Sequence, residues 1–175
     1  GAEGSGMTRE LVMAITRIEA LHLSQMTEQF RDLLDATTDA SSDDAVARLV
    51  PEGYLDDDAA AREFRRLTER ELLDRRHTDA ETVLGILRPT LPAMPIASDD
   101  PALTEEVVVH ASAADVSALL RTLSAIRLVL ATRLGIQADD DHDASDPRFG
   151  IYDWLGYRLD SLISAIDADS DPRGT

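Results

Sequence analysis

Apolar positions along the chain fall into four helical stretches and two short strand-like runs. From Glu10 to Thr16, Leu11, Met13 and Ile15 alternate with other residues, the period of a half-buried strand. Thr16 with Glu19 three positions on forms a capping box, which predicts that a helix starts there. That helix places Leu23, Met26, Phe30, Leu33 and Leu34 on one side and ends near Asp35, before a small polar stretch. After the short segment AVARLV comes the triple acid Asp56, Asp57 and Asp58, where a helix dipole favours negative charge. The helix expected next runs to about Arg76, with Ala60, Phe64, Leu67 and Leu72 inward. Thr78 and Glu81 form a second capping box, which predicts a separate short helix through Val83, Leu84 and Leu87, stopped by Pro89.

A proline-rich connection leads to Val107, Val108 and Val109, the clearest β-branched run, followed by the cap pair Ser112 and Asp115. Strand, cap and helix thus occur twice, and the two strands are expected to pair with each other. The helix from Ala113 to Leu134 carries Val116, Leu119, Leu120, Leu123, Ile126, Leu130 and Leu134 as a stripe, with Gly135 as its stop, and should lie at the centre of the core. A last helix from about Arg148 to Ile166 is expected to bury Ile151, Leu155, Leu159, Leu162 and Ile166. The fold class that follows is mainly α: a bundle of four to five helices with a short two-stranded β-ribbon. Residues 1–6 read as a linker or tag remnant, 7–167 as one helical domain and 168–175 as a disordered tail.

Composition narrows the function classes. The net charge of −17 repels phosphate backbones and anionic lipid, so nucleic acid and membrane surfaces are not expected partners; a protein partner or a homodimer is. Cysteine is absent, which excludes disulfides, thiolate metal sites and a cysteine nucleophile. No apolar run approaches the roughly 20 residues of a membrane span, and the expected location is the cytoplasm. Every basic residue is Arg and Asn is missing too, a pattern of GC-rich coding.

Asp139, Asp141 and Asp143 alternate like the first calcium-loop ligands, but Ala144 stands where that loop needs Gly and Gly150 where it needs Glu. The stretch reads as a solvated acidic connector, to which His142 adds little. His22, His77, His110 and His142 show no zinc spacing, and neither a nucleophile elbow nor a phosphate-binding glycine loop occurs. No metal and no cofactor are expected, and the reading favours a protein that is not an enzyme.

Arg127 falls inside the apolar stripe of its helix, where a guanidinium needs partners. One reading is a buried ion pair with Asp153 or Glu63 that sets helix register. The other is a ligand-binding arginine in a pocket with Arg65 and Tyr152, suited to an anionic group. Trp154 at the stripe edge and nearby Tyr157 read either as a cap on the core or as interface residues.

Three segments, EGYLDDDAAAREFRRLTERELLDRR from Glu52 to Arg76, LRTLSAIRLVLATRLGI from Leu120 to Ile136 and IYDWLGYRLDSL from Ile151 to Leu162, resemble an uncharacterised actinobacterial family. The recurrent positions of that family correspond to Tyr54, Glu63, Phe64, Arg65, Thr68, Arg127, Arg133, Gly135, Tyr152, Asp153 and Trp154, with Leu119 where the family commonly has Trp. The resemblance implies a gene often adjacent to that of ClpS, the Clp protease adaptor, and carries no catalytic assignment. The expectation is a non-catalytic interaction or regulatory protein linked to Clp-dependent proteolysis. The alternative is a small-molecule (anionic ligand) binding protein or enzyme with its pocket near Arg127. A third reading, mimicry of nucleic-acid charge, requires a regular acidic stripe, whereas the acids here cluster in loops and helix starts.

Overall fold

The computed structural model describes residues 10–50, 59–138 and 142–170. The expected linker 1–6, Tyr54, the triple acid 56–58, Asp139, Asp141 and the end of the expected tail, 171–175, lie outside the described residues. In chain order the elements are β1 (Glu10–Thr16), α1 (Arg17–Ala36), α2 (Asp44–Ala47), α3 (Ala59–Leu87), β2 (Glu106–Ser112), α4 (Ala113–Leu134) and α5 (Gly150–Ser170). Short 3-10 turns at Ala40–Ser42, Arg88–Thr90, Pro101–Thr104 and Pro147–Phe149 connect them.

Both strand-to-helix junctions are set by their caps. The Thr16 hydroxyl accepts from Glu19 N–H at 3.3 Å while the Glu19 carboxylate accepts from Thr16 N–H at 2.9 Å. Ser112 and Asp115 repeat the exchange at 3.2 and 2.9 Å. Each cap begins its helix at the C-terminal end of its strand, and β1 and β2 pair antiparallel, from Glu10 opposite Ser112 to Thr16 opposite Glu106. Ile15, Val109 and Ala111 are buried on one face of this ribbon, and Val12, Ala14 and Val108 are exposed on the other. The ribbon persists because its inner face closes the helical core.

That core centres on α4, as its stripe predicts: Leu119 and Leu123 pack in one cluster with Leu23 of α1, Val46 of α2, Val83 and Leu87 of α3, Val109 of β2 and Leu155 of α5. Each such fully buried side chain contributes about 1.5 to 3 kcal/mol. Gly135 ends α4 at φ 75°, a left-handed turn that lets Ile136 N–H reach Ala131 O at 2.8 Å.

Three expectations are corrected. First, the two helices expected to divide at Thr78 are one continuous helix, α3. The Thr78 hydroxyl bonds to Asp74 O at 3.1 Å, and Glu81, instead of turning back to a cap, pairs with Arg31 of α1 at 3.1 Å. Packing of Leu73, Ala80, Val83 and Leu87 in unbroken helical register outweighs a local capping preference of about 1 kcal/mol.

Second, the outer turns of α3 do not turn Phe64 and Leu67 inward. They are 71% and 61% exposed, and Ala60 is exposed beside them. At about 100° per residue these positions lie half a turn away from Leu73, Ala80, Val83 and Leu87, so the pattern that buries the inner half must expose them. Third, the first turn of α5 buries Tyr152 in place of Ile151, which is exposed, while Leu155 and Leu162 are buried as expected. The helix also continues through Ser170, three residues into the stretch expected to be tail.

Candidate functional site

The burial of Tyr152 in place of Ile151 follows from what Tyr152 meets. The Arg127 guanidinium of α4 lies 4.0 Å over the Tyr152 ring, and its Nε donates to the Tyr152 carbonyl at 3.2 Å. Gly156, one turn further on, makes the approach possible: a Cβ there would come within 2.8 Å of Arg127 Nη2. Arg127 is therefore half-buried and clasped by one turn of α5. The carboxylates expected to pair with it are engaged elsewhere. Asp153 accepts from the His142 ring at 2.6 Å, and Glu63 sits on the exposed part of α3, 3.7 Å from Arg66. A planar, weakly hydrated guanidinium stacks on an aromatic face while donating in its own plane to a carbonyl, which suits this position better than a strongly hydrated ammonium.

His142 is the residue whose place sequence reasoning misjudged. Its side chain is only 6% exposed, with the ring 4.8 Å from Phe149 and edge-on to Tyr152 at 5.5 Å. It fastens the segment before α5 onto that helix. The signal available in the sequence was Asp153, eleven residues on, with two aromatics between. Among the described residues Nδ1 has no hydrogen-bond partner, and its burial leaves the His–Asp pair with no open nitrogen to offer a substrate proton.

Beside Arg127 a cleft of about 240 Å³ opens between α2, α4 and α5. Arg48 and Arg127 supply its charge, Ser124 a hydroxyl, and Leu128, Ile136 and Leu159 apolar wall. Arg48 follows α2 and donates to the Thr132 hydroxyl at 2.9 Å; among the described residues it has no carboxylate partner. The sequence reading grouped Arg65 with Arg127 and Tyr152, but Arg65 lies on the outer turns of α3, its Nε against Ala61 O at 3.4 Å, and does not line the cleft. Arg48 takes that place. It escaped notice because AVARLV reads as a plain apolar segment.

Trp154 is half-buried against the core. Burial pushes the Glu19 carboxyl up, but the Arg158 guanidinium, Thr16 N–H and the Trp154 indole bonded to it prevail and hold it below the usual carboxylate range. Trp154 thus ties α5 to the start of α1. Tyr157 is exposed. Asp43, which caps α2, also bonds to Arg133 at 2.6 Å, and that guanidinium together with the Ala45 and Val46 N–H groups keeps its carboxyl low despite burial.

Among the described residues no group of three or more His, Cys, Asp or Glu is arranged to hold a metal ion, and no helix is long and apolar enough to cross a membrane.

A mainly helical bundle closed by a two-stranded ribbon, with an arginine–tyrosine–histidine–aspartate cluster beside a small cleft lined by Arg48 and Arg127, defines the class of this protein. The chain belongs to the family described as a domain of unknown function (DUF2017), whose match runs over residues 2–166. Neither the curated proteins nor the solved structures yield a match.

Proposed function

We propose that this is a cytoplasmic, non-catalytic interaction or regulatory protein that engages a protein partner through the outer turns of α3. The observation that carries the reading is the reversed polarity of that segment. Phe64 and Leu67 point away from the body of the molecule, one helical turn apart, while Glu69 on the other side bonds to Ala40 N–H at 3.1 Å. Apolar residues at i and i+3 on an exposed helix are the anchors of helix-in-groove recognition. From 59 to 76 the chain carries six arginines against four acids, in a molecule of net charge −17, so the partner is a groove with carboxylates at its rim.

The resemblance to an actinobacterial family with genes beside that of ClpS supports Clp-dependent proteolysis as the setting. Titration of purified ClpS should give a saturable complex that the double variant Phe64→Ser/Leu67→Gln loses while its circular dichroism stays unchanged. No complex with ClpS removes the Clp connection. If a photo-crosslinker at position 64 also captures no discrete protein in cells, the interaction reading goes with it.

A second reading, an anionic-ligand binder at Arg127, is favoured by the cleft that Arg127 shares with Arg48.

A further inference from the structure

We infer that the cleft between α2, α4 and α5 takes a small monocarboxylate with an apolar body. The inference rests on the anionic-ligand reading and adds the chemical class to it.

The shape and lining carry the argument. The volume of about 240 Å³ lies just under the range of about 300 to 1,000 Å³ usual for ligand pockets, which fits a compact molecule. Its walls divide by chemistry: Leu128, Ala131, Ile136 and Leu159 form an apolar surface, and Arg48 and Arg127 bring two guanidiniums to the same space. Arg127 is fixed in advance by the Tyr152 ring at 4.0 Å, the Tyr152 carbonyl at 3.2 Å and the missing Cβ of Gly156, so little side-chain entropy remains to be lost on binding. Among the described residues Arg48 meets the Thr132 hydroxyl at 2.9 Å and no carboxylate.

Charge selects between anions. Guanidinium groups bind carboxylate and phosphate alike. The field of a molecule with net charge −17 penalises a dianion about twice as much as a monoanion. The apolar wall rewards a hydrocarbon body, which inorganic phosphate lacks. Both preferences point to a singly charged carboxylate.

The test titrates the 15N-labelled protein with benzoate, isovalerate, inorganic phosphate and the neutral benzamide. Benzoate or isovalerate should saturably shift the amide signals of Ser124, Ala131 and Ile136. Arg48→Gln, at an exposed position, should weaken that binding roughly tenfold or more, the loss of one hydrogen bond to a charged group. Saturation by phosphate alone overturns the carboxylate assignment and leaves the anion reading standing. Benzamide binding as tightly as benzoate, or Arg48→Gln binding unchanged, overturns the role given to charge. No saturable shift with any of the four overturns both the inference and the reading beneath it.

Discussion

The clasp of Arg127 by α5 makes a sharp prediction about two residues that a substitution table would treat as unrelated. Arg127→Ala removes a cation–π contact worth about 1 kcal/mol in a half-buried setting and a hydrogen bond from a charged donor worth about 1.5 kcal/mol. These two contacts together set a loss of about 2 to 3 kcal/mol. Gly156→Ala acts with opposite sign in two backgrounds. In the parent the new Cβ, 2.8 Å from Nη2, displaces the guanidinium and outweighs the helix-propensity gain of about 1 kcal/mol. In Arg127→Ala nothing stands in its way, and that gain of about 1 kcal/mol should appear in full. The coupling is therefore about 2 kcal/mol, within the span measured for residues in contact. Urea unfolding of the four proteins at one pH, followed by helical circular dichroism, measures it; each kcal/mol should also move Tm by about 2 to 4 °C in a chain of this length. Additivity within about 0.5 kcal/mol, or an Arg127→Ala loss below that value, refutes the clasp.

Four further outcomes test other contacts of the fold. Thr16→Ala and Ser112→Ala should each lose about 1 kcal/mol, since each breaks a reciprocal cap at a strand-to-helix junction; chemical denaturation with no shift at either position would deny the caps their part. Phe64→Ser should unfold within about 0.5 kcal/mol of the parent while Leu87→Ala loses about 2 to 5, and comparable losses would place Phe64 back in the core. Thr122→Val should stabilise by about 1 kcal/mol, because the buried hydroxyl has no hydrogen-bond partner among the described residues and the shape is kept; a loss of stability would reveal one. The Glu19 carboxyl is held low in the folded state, so its contribution is present above the usual carboxylate range and fades as pH falls through the lowered folded value. Glu19→Gln should flatten that part of the acid-unfolding curve, and an unchanged acid slope would contradict the assignment.

Local chemistry was enough to read the junctions and the central helix. Thr16 with Glu19 and Ser112 with Asp115 mark helix starts because a cap involves residues only three apart, and Gly135 marks a helix end because left-handed backbone there favours the residue without a Cβ. The pairing of β1 with β2 was legible for a similar reason: two short strands with one apolar face each have few other partners. Tertiary packing decided the rest. At Thr78 a complete capping signal was overridden, since burying Leu73, Ala80, Val83 and Leu87 in one register outweighs a cap. Phe64 and Leu67 fit a helical period, but a period says only that a face exists, not that this molecule covers it. The site shows the same division. Arg127 stood out in the sequence as a charge in an apolar stripe, yet its bond to the Tyr152 carbonyl, the fit of Gly156 and the company of Arg48 and His142 depend on three segments more than ten residues apart meeting in space. No spacing rule encodes such a meeting, because the distance between segments is set by the packing of the helices that carry them.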